Sequence, residues 1–194
     1  IMTIDDKILV QVENLYMYFP VTAGVLRKKV ADVKAVDGIS FYIKKGETLG
    51  LVGESGCGKT TTGRCILQLC KITSGRVFYE GEELGKLSGR KIRSMRRHIQ
   101  MMFENPSSSL DPCMRVGDIL AEPLEIHKLA KGREYAEQVA HLLRMVELEP
   151  EMAERSPTEF STGQRQRIEI ARVLAVRPSF IVCDNPVSQL DVSI

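Results

Sequence analysis

Thr48-Leu49-Gly50-Leu51-Val52-Gly53-Glu54-Ser55-Gly56-Cys57-Gly58-Lys59-Thr60-Thr61 is the stretch from which the architecture is read. Its first five residues form a short apolar run suited to a buried strand, and the residues from Thr60 to Cys70 can form a helix. Between them, Gly53 to Thr60 fits G-x-x-x-x-G-K-[ST] in the strand-then-helix context that a phosphate loop needs. Glycines let successive backbone N–H groups turn inward as a nest for phosphate oxygens, and the start of the helix adds partial positive charge. In this pattern Gly53, Glu54, Ser55, Gly56, Cys57 and Gly58 supply the cradle, and Lys59 reaches the β- and γ-phosphates. The Thr60 hydroxyl ligates Mg²⁺, and Thr61 belongs to the same nucleotide site. The bland reading, a glycine-rich turn with an exposed lysine, lacks a reason for this spacing.

Elements on either side extend the pattern to an α/β fold. Upstream, Val10, Val12, Leu15, Tyr16 and Tyr18 are strand formers between Ile8 and Phe19, and Ile39, Phe41 and Ile43 alternate within Val36 to Ile43. A basic loop around Arg27, Lys28 and Lys29 separates these two predicted strands. Downstream, Arg76 to Tyr79 reads as a strand, Gly89 to Arg97 as a basic helix, and Ile99 to Phe103 as an apolar run. The turn-rich Asn105 to Pro112 precedes two segments of helical spacing, Val116 to Leu129 and Arg133 to Val146. Ser161 is an N-cap residue for a helix to about Val176, and Phe180 to Cys183 is a fully apolar strand ending at Asp184.

Composition narrows the function classes. With 194 residues and 43% hydrophobic content the chain can bury a core. Lys and Arg total 27 against 25 for Asp and Glu, a net charge of +2, so no large field draws nucleic acid or an anionic membrane. The basic cluster Arg90, Lys91, Arg93, Arg96 and Arg97 reads as a solvated helix face, and no nucleic-acid partner is expected. Five cysteines form no C-x-x-C pair, which fits a reduced cytosolic setting. No apolar run approaches the roughly 18 residues of a membrane span, so membrane association is expected only through partners. Ile1 ahead of Met2, and the unclosed end at Ile194, read as the ends of a fragment.

A phosphate-loop enzyme needs a carboxylate at the end of a neighbouring strand to hold the metal, and Asp184 supplies it. Phe160-Ser161-Thr162-Gly163-Gln164-Arg165-Gln166-Arg167 then resembles the signature of ABC ATPases, which ordinarily reads L-S-G-G-Q or F-S-G-G-Q. Ala35 to Phe41, Gly46 to Lys59 and Pro106 to Pro123 are similar to the ATPase subunits of oligopeptide and dipeptide importers. The resemblance implies a P-loop NTPase of ABC type, a mixed β-sheet core with an antiparallel β subdomain and a helical insert. Its segments would be an ATP-binding core at 1–103, a loop and helical subdomain at 104–160, and the signature helix with the metal-side strand at 161–194.

By the same resemblance the cofactors are ATP and Mg²⁺. The partners are a second ABC ATPase subunit, identical or related, and membrane permease subunits, at the cytoplasmic face of the membrane. Ser161, Gly163 and Gln164 would serve the partner's ATP, Asp191 would act across the dimer, and an aromatic at Tyr18 or, by preference, Phe19 would stack on adenine. Taken alone, Ser161 is equally a simple N-cap. A soluble ABC-type switch acting on nucleic acid or the ribosome is the competing function.

Four positions depart from the pattern that the resemblance implies. Glu104 stands where a glutamine helps ligate Mg²⁺, and Thr162 stands for a signature glycine. Asn185 replaces the glutamate that polarises the attacking water, and Gln189 replaces an alanine. An amide cannot accept the water's proton. The sequence therefore predicts ATP binding with impaired hydrolysis, and a gain in turnover from Asn185→Glu. His98, His127 and His141 are expected at the surface, with no role on the γ-phosphate.

Overall fold

A computed structural model describes residues 8–24, 28–104 and 109–185. They divide into two compact units, Ile1–Arg93 and Ser94–Ile194.

The first unit is built on a four-stranded antiparallel sheet. Strands β1 (Ile8–Ala23) and β2 (Lys28–Lys44) pair along their whole length, and β3 (Ser74–Tyr79) and the short β4 (Glu82–Glu83) follow in the order β2-β1-β3-β4. Both long strands run further than their apolar alternation predicts. Beyond Tyr18 the pairing continues through Phe19↔Val33 and Val21↔Ala31, where side chains on both faces are exposed and only the backbone ladder holds the strands. The buried part is the first half, where Leu9, Val10, Val12, Leu15 and Met17 meet Val36, Ile43, Val77 and Tyr79. A register shift between Val12 and Leu15 puts Asn14 at φ 45, and Gly75 lies against it: a Cβ there would sit 2.2 Å from the Asn14 carbonyl oxygen.

Helix α1 (Lys59–Ile66) packs on β1 and β2 through buried Cys65 and Ile66. It stops earlier than the predicted Cys70. Gln68 adopts φ 52, its N–H bonds to the Cys65 carbonyl at 3.1 Å, and the Leu69 N–H reaches back to Arg64 at 2.9 Å. This is a Schellman closure with glutamine in the place glycine usually takes. Thr48–Val52, expected as a strand, is not one. No described residue pairs with it, and Leu49, Leu51 and Val52 are 44%, 49% and 94% exposed. A strand exists only through a partner's N–H and C=O groups, so an apolar run without a neighbour stays irregular. Helix α2 (Gly89–Met95) follows with no buried residue, as a solvated basic face should.

The second unit joins a parallel pair to a helical cluster. Strands β5 (Ile99–Met102) and β6 (Phe180–Cys183) pair from Ile99↔Phe180 to Met102↔Cys183. Helices α3 (Val116–Ile126), α4 (Glu134–Met145) and α5 (Thr162–Leu174) surround a core centred on Val116, Ile119, Leu120, Leu143, Ile168 and Ala171. Helices α3 and α4 end as α1 does. Lys128 at φ 54 and Glu147 at φ 57 turn the chain, and Leu129 and Leu148 donate to the carbonyls of Leu124 and Leu143, at 2.8 and 2.9 Å. His98 and His141 are exposed and His127 is half-buried. Among the described residues no helix is long and apolar enough to cross a membrane.

Candidate functional site

The glycine-rich loop belongs to the first unit. Gly56 and Gly58 have φ of 83° and 95°, a left-handed backbone that side-chain-bearing residues resist. Gly58 has a second constraint, since a Cβ there would lie 2.1 Å from the Ala35 carbonyl oxygen on β2. The loop therefore seats on the strand only because position 58 has no side chain. Helix α1 then begins with no side-chain cap and no acidic residue in its first turn, which leaves its positive end facing the loop.

Lys59 closes the loop on itself. Its Nζ donates to the carbonyl oxygens of Gly53 and Glu54, each at 2.7 Å, and lies 3.6 Å from Cys57 Sγ. Thr60 and Thr61 are half-buried on the first turn, and Thr62 Oγ1 donates to the Gly58 carbonyl at 3.0 Å. Gly53, Glu54, Ser55, Gly56 and Cys57 are exposed. A cation held by backbone carbonyls beside an uncapped helix start is suited to a polyanion. At the far end of α1, Cys65 Sγ is 3.3 Å from Cys70 Sγ. Burial, then the Cys70 contact, pushes the Cys65 thiol up to about 12.

Of the two aromatic candidates on β1, Tyr18 is engaged. Its hydroxyl donates to Asp37 Oδ1, Lys34 Nζ lies 3.3 Å from Asp37 Oδ2, and the Lys34 ammonium sits 5.4 Å from the Tyr18 ring centre. The Tyr18 hydrogen bond, with help from Lys34, holds the Asp37 carboxyl below the usual range, and the same bond raises the Tyr18 hydroxyl. Phe19 has no such tie and is 44% exposed. The sequence reading missed this cluster; its signal was an ordinary Tyr, Lys and Asp on paired strands.

The second unit carries the acidic residues. Asp184 follows β6, half-buried, and its N–H extends the parallel ladder to the Met102 carbonyl at 2.9 Å. Glu104 lies two residues past β5. Asn185, at φ 48, donates through Nδ2 to Glu104 Oε1 at 2.8 Å. Thus Glu104, Asp184 and Asn185 gather at the carboxyl ends of two parallel strands, the edge where such sheets place ligands. One supporting residue was not foreseen. Glu169, on the buried face of α5 and 1% exposed, accepts the Phe103 N–H on Oε1 at 3.2 Å, while its Oε2 is buried without a hydrogen bond. A glutamate between Ile168 and Ile170 was the available sign.

Ser161 caps α5 in a reciprocal box. Its Oγ accepts the Gln164 N–H at 3.3 Å, and Gln164 Oε1 accepts the Ser161 N–H at 3.0 Å. Thr162 is exposed, and a Cβ at Gly163 would meet nothing within 4 Å. Gln189 and Asp191 lie outside the described residues, as do residues 105–108. Among the described residues no group of three or more His, Cys, Asp or Glu forms a metal cluster.

Comparison with known proteins places the chain in a family. A family model described as ABC transporter matches residues 36–188. The oligopeptide transport ATP-binding protein OppF of Bacillus subtilis is 52% identical over 188 residues, covering 96% of this chain and 59% of its own length. AppF, the corresponding oligopeptide transport protein of the same organism, is 48% identical over 191 residues, covering 98% of this chain and 58% of its own. The glutathione import ATP-binding protein GsiA of Escherichia coli K12 is 47% identical over 191 residues, with 31% of its length covered. The chain thus spans less than two thirds of these relatives. Among solved structures, the dimeric post-hydrolysis ATP-binding cassette MJ0796 bound to ADP and Pi aligns at a TM-score of 0.82 and 29% identity, over 95% of this chain and 77% of that one. With the family model spanning most of its length, the chain belongs to the ABC transporter family.

Proposed function

We propose that this chain is the ATP-binding subunit of an ABC importer, coupling ATP binding and hydrolysis to the uptake of peptides or similar small solutes. The observation that carries the reading is the loop from Gly53 to Thr60, with the Lys59 ammonium drawn onto the Gly53 and Glu54 carbonyls beside an uncapped helix start. Incoming phosphate oxygens exchange for those carbonyls on Lys59, and the loop's backbone N–H groups bind the β-phosphate. Phe19 stacks on the base, since its ring is exposed whereas the Lys34 ammonium already lies over the Tyr18 ring. The names of the relatives, oligopeptide transport and glutathione import proteins, support a peptide-like cargo over a soluble switch on nucleic acid.

Thr60 in the first unit, and Glu104 and Asp184 in the second, each carry an oxygen donor of the kind Mg²⁺ takes. When bound, that ion neutralises charge on the phosphates. In this reading a second ATPase subunit completes the site through Ser161, Gly163, Gln164 and Asp191, and permease subunits hold the assembly at the cytoplasmic face of the membrane. Asn185 cannot act as the base on water, so hydrolysis at the chain's own site is slow.

Lys59→Ala is the test. Removing the cation should weaken ATP binding by about 2 kcal/mol or more, on the order of thirtyfold. Titration calorimetry reads it, and unchanged affinity would remove the phosphate-loop assignment.

A further inference from the structure

We infer that Glu104 and Asn185 act as one coupled carboxylate–amide pair, with the charge carried on the β5 side and Asn185 serving as the positioning residue that aims it. The two side chains meet at 2.8 Å across the carboxyl ends of adjacent parallel strands. Each is held from behind. Glu169 anchors the Phe103 N–H immediately before Glu104, and the Met102 carbonyl anchors the Asp184 N–H immediately before Asn185. Both side chains are exposed, so neither is needed to fill the core. The left-handed backbone at Asn185 is one that asparagine tolerates better than most residues.

The resemblance implies the opposite assignment, an amide after β5 and a carboxylate after β6. This chain keeps one of each with the places exchanged. A hydrogen bond at 2.8 Å needs a donor on one side, and two carboxylates at that separation repel. Restoring the carboxylate at position 185 alone therefore sets two anions against each other. Replacing Glu104 alone leaves two amides and no carboxylate. Only the double exchange keeps one of each, so the gain from Asn185→Glu that the sequence predicts is withheld until Glu104 changes too.

This inference rests on the ATP-binding reading, and the experiment separates the two. In the full-length protein, four forms are compared: the parent, Glu104→Gln, Asn185→Glu, and both together. ATP affinity is measured with Mg²⁺ and with EDTA, alongside the thermal midpoint and phosphate release. Asn185→Glu should lower the midpoint and weaken metal-free ATP binding by about tenfold, and adding Glu104→Gln should recover both. Turnover should rise above the parent only in the double variant. Asn185→Asp, which suits the same backbone, should repeat the single-variant loss and so separate charge repulsion from backbone strain. Additive effects of the two substitutions, or Asn185→Glu alone matching the double variant, would overturn the coupling. Lys59→Ala in the same assay reports on the parent reading. If it abolishes binding while the cycle is additive, the pair alone is refuted; if it leaves binding unchanged, the ATP site itself is refuted.

Discussion

At Gly58 two independent constraints meet, a φ of 95° and a β2 carbonyl 2.1 Å from where a Cβ would stand. Gly56 has only the first, since a Cβ there would enter open space. Gly58→Ala should therefore shift the loop off Ala35 and cut ATP affinity at least about tenfold, whereas Gly56→Ala should cost about 1 kcal/mol of backbone strain. Calorimetric titration of both variants checks this, and equal losses would show that the strand contact is unimportant. The glycines were legible as a motif. Which of them touches a strand was not, because Ala35 is 23 residues away and its carbonyl has no signature.

At the scale of elements, helix starts were easier to read than helix ends. Ser161 announces α5, and the structure gives it a reciprocal box with Gln164. Ser161→Ala should lower stability by about 1 kcal/mol while Ser161→Asp keeps most of the cap. Urea denaturation of the three forms tests the cap separately from any role on a partner's ATP: equal stability of all three would mean the box contributes nothing. Thr162 follows, exposed, at the same helix start; in the proposed dimer its β-branched side chain would crowd a partner's phosphate. Thr162→Gly should tighten ATP-driven dimerisation in sedimentation, and a parent that already dimerises as strongly would refute the crowding. The ends of α1, α3 and α4 were overrun by the sequence reading. Gln68, Lys128 and Glu147 take the left-handed turn without the glycine that ordinarily marks it, and their Schellman bonds form only once the last turn exists.

For the whole molecule, each unit has its own core, and the second depends on the packing of α3, α4 and α5. Leu143 is fully buried at the centre of that cluster. Leu143→Ala should cost about 2–5 kcal/mol, read as a lower denaturation midpoint, and a loss well under 1 kcal/mol would mean the cluster can collapse around the gap. The sequence by itself determined what is contiguous: the glycine-rich loop, the cap of α5, the apolar strand before Asp184, and hence the family resemblance. In those cases the chemistry lies in neighbouring residues, and spacing along the chain is spacing in the site. Only the tertiary structure decided which residues act together across distance. It denied Thr48–Val52 a strand partner, tied Tyr18 to Asp37, and joined Glu104 to Asn185, 81 residues apart. A departure read singly at each position becomes one exchanged pair when β5 and β6 lie side by side, because hydrogen bonding depends on the distance between atoms and not on the residues counted between them.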